Sequence, residues 1–197
     1  MHAWVWGLSL ASALAVPAAA QVIDGGAARK LMFPLSGYEI LYAEGLSESN
    51  KRILQMVVPM MAEQLRQPVR YYGAIAWSPD DGLAHESVQA AMDYHSPEAA
   101  GAAARAACDK LRSGKAKTPC QVAASMVPKR YRARPLTLSL DATAGFDRQY
   151  LTMKGHKALA ISPTTGAWGL GDNDAAAVAA CRRSESGGKD CAVVIRD

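Results

Sequence analysis

The chain carries one short pattern twice, and this internal repeat limits the available folds more than any other feature of the sequence. Residues 74–82 match residues 158–166 position by position, and both segments run from a strand-like stretch into Ser-Pro-x-x-Gly. Downstream, Ala-Ala-Cys occurs at 106–108 and 179–181, and a second cysteine follows at 120 and 191. The chain is therefore expected to use one structural unit two times.

Each copy predicts the same elements: strand, turn, strand, helix and strand. Proline presets the turn, and its glycine supplies the positive φ that closes a hairpin. An alanine-rich helix then runs to the cysteine; in the first copy it opens with a cap at Ser96 and a proline at 97, and in the second copy it opens at residues 172–174. The expected ranges of the second strand are 83–88 and 167–171, and those of the last strand are 121–127 and 192–195.

Residues upstream of each copy extend the pattern. The stretch 38–42 alternates like a strand and precedes a helix predicted over 49–67, with a kink at Pro59. The stretch 136–140 is also strand-like, and Asp141 is a candidate helix cap. The sequence predicts an α+β protein of two tandem ββαβ repeats, and each half can extend to the βαββαβ order of ferredoxin-like folds. Order along the chain does not fix which strands pair.

Four cysteines fall into two close pairs. Three disulfide pairings are conceivable, and the separations of 12 and 10 residues favour Cys108 with Cys120 and Cys181 with Cys191. A four-thiolate metal site is the competing interpretation, but such sites usually use tight C-x(2–4)-C pairs, which the sequence lacks. Structural disulfides indicate an oxidising compartment.

Residues 1–20 contain no Asp, Glu, Lys or Arg and end on Ala18-x-Ala20, which is typical of a secretory signal peptide. An uncleaved membrane anchor is the alternative, although the stretch is short for one. No later segment is apolar for long enough to span a bilayer, so a periplasmic or secreted protein is expected. The predicted organisation is a signal peptide at 1–20, an N-terminal half at 21–128, a basic linker at 129–135 and a C-terminal half at 136–197.

The repeated motifs also resemble a known family. Gly-Ala-Ile-Ala-x-Ser-Pro at 73–79, the Ala-Ala-Cys helix ends at 106–108 and 179–181 and the Cys-x-Val strand are similar to a family of secreted bacterial domains of unknown function. With Lys-Leu-Met-Phe-Pro at 30–34, the chain is similar to small alphaproteobacterial secreted proteins that sometimes carry the label 5-aminolevulinic acid synthase. That synthase is a far larger cytoplasmic pyridoxal-phosphate enzyme, so the resemblance implies a compartment and an architecture and supplies no catalytic residue.

The first copy holds about eleven extra residues between turn and helix, and this insertion concentrates groups that could do chemistry. Imidazoles beside carboxylates can bind zinc or transfer protons. The spacing does not match H-E-x-x-H, so a solvated hairpin extension is the favoured interpretation and no metal is predicted. The catalytic candidates are His85, Glu86, Asp93 and His95, with Asp80 and Asp81 nearby.

The proline-bounded linker is a candidate anion-binding segment. It carries Lys129, Arg130, Arg132 and Arg134 without an acidic residue. Nucleic acid is not expected as the partner of an exported protein, whereas anionic lipid headgroups or lipopolysaccharide phosphates outside the cytoplasm are candidate partners. A solvated linker is the alternative.

The sequence thus favours a non-catalytic periplasmic or secreted binding or envelope-associated module. Its expected partner is an anionic envelope component or another exported protein, and no cofactor is predicted. The alternative is a small extracytoplasmic enzyme, hydrolytic or metal-assisted, that uses the insertion around His85, Glu86 and His95.

Overall fold

The computed structural model describes residues 21–64 and 68–197, so the predicted signal peptide at 1–20 lies outside the described residues. The prediction of an α+β protein is confirmed. The helices are Gly25–Leu31 (α1), Glu48–Gln64 (α2), Pro97–Leu111 (α3), Leu140–Arg148 (α4) and Asp174–Arg183 (α5). The strands are Tyr38–Tyr42 (β1), Gly73–Trp77 (β2), Gln89–Ala91 (β3), Gln121–Pro128 (β4), Ala158–Ile161 (β5), Trp168–Gly171 (β6) and Ala192–Arg196 (β7). Within these described segments, no helix has the length and hydropathy needed to cross a membrane.

The first sheet contains four antiparallel strands in the order β1-β4-β2-β3. The predicted element order βαββαβ is present, but the strands do not pair as in a ferredoxin-like sheet, where β1 and β3 are central neighbours. Here β4 and β2 occupy the centre. Leu54 and Val58 of α2 are buried against one sheet face, and α3 packs on the other.

The second sheet contains three antiparallel strands in the order β6-β5-β7. The strand predicted at 136–140 does not form, because its place beside β7 is taken by Ile23, whose N–H donates to the carbonyl of Val194 at 3.1 Å. Leu136 and Leu138 are buried in the core instead. The cap of α4 is Ser139 rather than Asp141, since the Ser139 Oγ accepts a hydrogen bond from the Ala142 N–H at 3.2 Å.

The two Ser-Pro-x-x-Gly turns differ from each other. Gly82 has the expected positive φ, at +84°, but the backbone after it turns again, so the next strand begins at residue 89 rather than at 83. Gly166 does not have a positive φ. A Cβ there would lie 2.2 Å from the backbone oxygen of Asp93, so this glycine is required for close packing instead.

Both sheets share one irregularity. The pairing of β2 with β4 shifts register between Ile75 and Ala76, and the pairing of β5 with β7 shifts between Leu159 and Ala160. These positions correspond in the two copies of the sequence pattern. The strand order β4-β2-β3 likewise corresponds to β7-β5-β6. An origin by duplication stays a prediction, because shared geometry alone does not test it.

Small residues let the helices lie close to the sheets. Ala74 and Ala76 of β2 are fully buried against Ala100 and Ala104 of α3. In the second half the helix also lies close to the sheet, because a Cβ on Gly169 would lie 2.2 Å from the backbone nitrogen of Cys181. Such cores contain few large side chains, so covalent links contribute a large share of their stability.

Both expected disulfides are present, Cys108 with Cys120 and Cys181 with Cys191. Each joins the last turns of a helix to the start of the strand that follows, and no free cysteine remains in the described chain. The pairing predicted from spacing is therefore confirmed, and the four-thiolate metal alternative is wrong.

We expect that replacing Cys181 and Cys191 together by serine lowers the free energy of unfolding by about 3 kcal/mol, because a loop of about a dozen residues is no longer closed in the unfolded chain. Urea denaturation at neutral pH measures this change. The double variant at Cys108 and Cys120 should lose a similar amount, and a loss below about 1 kcal/mol in both would contradict the structural role.

Candidate functional site

The basic linker predicted from the sequence borders a surface cavity, which we call the basic cavity. Strand β4 ends at Pro128, and in the turn that follows Arg130 has a φ of +58°, in the left-handed region. The cavity has a volume of about 270 Å³ and is lined by Phe33, Pro34, Lys129, Arg130, Arg132 and Arg134. All four cations proposed from the sequence therefore meet at this cavity.

Arg134 is the most firmly fixed of the four cations. Its Nη1 donates hydrogen bonds to the carbonyls of Leu31 at 2.5 Å and Met32 at 2.9 Å, at the end of α1. Carbonyls at a helix C-terminus lack partners within the helix and attract cations. The guanidinium carbon also lies 3.5 Å from the centre of the Phe33 ring. Arg134 thus fastens the linker to α1 and leaves its positive charge at the cavity wall.

Three further contacts hold the linker. The backbone N–H of Tyr131 donates to the Glu39 Oε1 at 3.0 Å. A Cβ on Gly37 would lie 2.7 Å from the Cε of Lys129, so the lysine stem lies directly against the Gly37 backbone. The Tyr131 ring packs on Phe33, with ring centres 6.0 Å apart. These contacts position the linker, while the ends of its other cations stay free.

The charge at the basic cavity has one sign. Lys129, Arg130 and Arg132 are exposed, and no acidic residue is among those that line the cavity. A concave surface of like charge raises the local concentration of ions of opposite charge. Guanidinium groups donate paired hydrogen bonds to phosphate or carboxylate oxygens. The arrangement can therefore bind an anion.

Phe33 and Pro34 were missed as site residues by sequence reasoning. They lie almost a hundred positions before the linker, and only the path of the chain after α1 brings them to it. No local signal in the sequence reports that path.

His95 has a structural environment. It is buried, its Nε2 lies 2.9 Å from the carbonyl oxygen of Ala167, and its Nδ1 accepts a hydrogen bond from the Ser139 N–H at 3.0 Å. Burial lowers the pKa of His95 to about 4, although the hydrogen bond to Ala167 acts in the opposite direction. The imidazole is therefore neutral near pH 7, with its proton on Nε2, and it links the first half of the chain to the second.

Asp93 lies at the same contact between the two halves of the chain. Its Oδ2 is 3.2 Å from Nη1 of Arg70, and its Oδ1 accepts a hydrogen bond from the Asp141 N–H at 3.2 Å. Arg70 also pairs with the Asp141 carboxylate at 2.5 Å. Burial raises the pKa of Asp93 to about 6, and the negative charge of Asp141 adds to this effect. Arg70 and Asp141 were not identified as its partners from the sequence.

The other candidates of the insertion lie elsewhere. Nδ1 of His85 is 3.0 Å from the Ser87 Oγ and 3.9 Å from the Asp81 carboxylate, and the side chain of Glu86 is exposed. His85 and His95 share no partner. Across residues 21–64 and 68–197, no three His, Cys, Asp or Glu side chains are grouped so that they could hold a metal ion. The structure does not assemble the proposed catalytic set.

Asp80 and Asp81 hold the first disulfide loop in place. Asp80 accepts hydrogen bonds from the backbone N–H groups of Thr118 and Lys117, and these bonds lower the pKa of its carboxyl. Asp81 accepts a hydrogen bond from the Ser113 hydroxyl, which also lowers the pKa of Asp81. In the second half the turn and the disulfide loop exchange the roles of donor and acceptor. There the turn supplies hydroxyl donors, and the carboxylate of Asp190, in the disulfide loop, accepts from them.

No family model, curated protein sequence or solved structure was found to match this chain. The resemblance to secreted bacterial domains accordingly stays a prediction.

The contact between the two halves at His95 and Asp93 predicts two opposite dependences of stability on pH. His95 binds its proton more weakly in the folded chain, so stability falls as the pH falls from about 6.5 to 4, by up to about 3 kcal/mol. Asp93 binds its proton more strongly in the folded chain, so stability falls as the pH rises from about 4 to 6. In the native protein the two effects oppose each other. Urea unfolding across pH 4–7 measures their sum.

Single substitutions should separate the two effects. Asp93→Asn keeps a residue that tolerates positive φ and should steepen the loss of stability on acidification. His95→Gln should remove that loss or reverse its sign. Asp147→Asn makes the same charge change at an exposed residue of α4 and serves as the control. If all three variants followed the wild-type profile, the assignment of both groups would be contradicted.

Proposed function

We propose that this protein is an exported, non-catalytic module that binds an anionic component of the cell envelope at the basic cavity. The observation that carries the proposal is the meeting of four cationic side chains from the linker around a cavity with no acidic residue in its lining. A solvated linker would not need a guanidinium fixed by two carbonyls and an aromatic ring, as Arg134 is.

Export is supported by the charge-free start of the sequence and by the two disulfides, since disulfides persist in oxidising compartments. Both features are compatible with a periplasmic or secreted protein. Membership in a family of secreted bacterial domains is part of the same proposal and rests on the repeated sequence motifs.

The proposed ligand is a phosphate-bearing headgroup at a membrane surface. Lys129, Arg130 and Arg132 are exposed, so they can reach a surface that does not enter the cavity completely. Each cation near an anionic membrane contributes about 1 kcal/mol of attraction. The enzymatic alternative has no comparable support, because His85, Glu86 and His95 do not form a joint site.

We expect the protein with residues 21–197 to bind vesicles that contain about one third anionic phospholipid and not vesicles of phosphatidylcholine alone. Binding should weaken at least about tenfold when the salt rises from about 0.05 to 0.5 M, because salt screens exposed charges. Replacing Lys129, Arg130 and Arg132 together by glutamine should abolish binding. Vesicle co-sedimentation measures all of these effects.

A matched control separates the cavity from overall charge. Replacing Lys110, Lys115 and Lys117 by glutamine removes the same three charges from exposed positions outside the cavity, and this variant should keep most of the binding. Inorganic phosphate and pyrophosphate are tested in parallel, and competition by either at about 1 mM would assign a soluble anion as the ligand. Equal loss of binding in both triple variants would overturn the role of the cavity.

A further inference from the structure

A second cavity lies between α3 and β4, separate from the basic cavity, and we call it the α3–β4 cleft. It has a volume of about 290 Å³ and is lined by Pro97, Glu98, Gly101, Arg105, Val122 and Ser125. None of these residues lines the basic cavity.

The register shift between β2 and β4 brings two residues of β4 to the wall of the cleft. Val122 pairs with Ala76 and Ser125 pairs with Ala74, and these two alanines share the sheet face that packs on α3. In a regular strand, residues three positions apart point to opposite faces. The irregularity between Ile75 and Ala76 places one extra residue in β4. Val122 and Ser125 therefore lie on the same face, below α3.

The helix side carries two opposite charges with a gap between them. Glu98, Gly101 and Arg105 are spaced by three and four residues, so they share one face of α3. The two charged residues are about 10 Å apart along the helix axis. Gly101 has no side chain to fill the gap, and a Cβ there would already lie 3.1 Å from the Cγ2 of Val122.

The corresponding positions of the second half form an internal ion pair. In the strand register, Arg196 lies opposite Ala158, as Ser125 lies opposite Ala74. The Nε of Arg196 donates a hydrogen bond to the Asp174 Oδ1 at 2.9 Å. Asp174 lies seven residues before Cys181, as Gly101 lies seven residues before Cys108. The first half thus has serine and glycine where the second half has arginine and aspartate.

The charges that border the cleft are not used by the protein itself. Glu98 and Arg105 are both exposed, and within residues 21–64 and 68–197 neither forms an ion pair or a side-chain hydrogen bond. An acid and a base held at opposite ends of an open cleft complement a ligand that carries both charges.

We propose that the α3–β4 cleft binds a short peptide with free termini, with its ammonium group at Glu98 and its carboxylate at Arg105. Three extended residues span about 10 Å, which matches the rise of α3 between residues 98 and 105. The guanidinium of Arg105 can donate paired hydrogen bonds to the terminal carboxylate. The hydroxyl of Ser125 can bond to the peptide backbone between the two ends.

Titration calorimetry with trialanine tests the proposal on the protein with residues 21–197. Binding is expected, and it should weaken at least about tenfold for N-acetyl-trialanine and for trialanine amide, each of which lacks one terminal charge. Glu98→Gln and Arg105→Gln should each weaken binding of trialanine by a similar factor. Absence of heat at about 10 mM peptide, or equal affinity for the free and capped peptides, would overturn the proposal.

Two variants provide controls. Ser125→Arg places in the cleft the side chain that occupies the second half and should abolish peptide binding, while circular dichroism and the urea midpoint show that the fold persists. Arg132→Gln alters the basic cavity and should leave peptide binding unchanged. Peptide affinity that is lost with Arg132→Gln but kept with Ser125→Arg would assign binding to the basic cavity and contradict the cleft.

Discussion

The buried side chain of His95 connects the two halves, and the positions of the other features depend on that connection. Its Nε2 donates to the Ala167 carbonyl beside the second sheet, and its Nδ1 accepts from the backbone ahead of α4. The bond to Nδ1 requires a neutral imidazole, because a protonated ring has no acceptor nitrogen. The Asp93 carbonyl, next to Gly166, completes the contact. The basic cavity forms between the end of β4 in the first half and the segment after α1. Helix α1 packs in the core of the second half, whereas Phe33 packs with Tyr71, Tyr72 and Val127 of the first. The shape of the cavity therefore follows from how the halves meet.

Sequence reasoning was most accurate where the cause is local. The cap at Ser96, the proline at the start of α3 and the disulfide spacings each depend on residues within about one turn or one loop, and the structure has all three. The prediction was wrong where a segment that is distant in the sequence determines the local structure. Leu136 and Leu138 alternate like a strand, but Ile23 occupies the edge beside β7 and the leucines are buried instead. The four cations of the linker were visible in the sequence, whereas the wall that Phe33 contributes was not.

Some structural features occur in both halves of the chain, and others occur in only one of them. The register shift, the disulfide and the close approach of helix to sheet occur in both. The groove beside the helix differs, since a few side-chain changes decide whether it is occupied by an ion pair or is open. Differences of this kind arise at low cost to stability, because exposed ion pairs contribute at most about 1 kcal/mol.

The pairing of Ile23 with β7 has a consequence for the order of assembly. Ile23 forms a single bridge to Ile195, and a contact between residues so far apart along the chain costs chain entropy when it closes. This bridge forms only after residue 195 has been synthesised. The first sheet, whose strands all lie between residues 38 and 128, has no such requirement and can form while the rest of the polypeptide is still emerging from the ribosome.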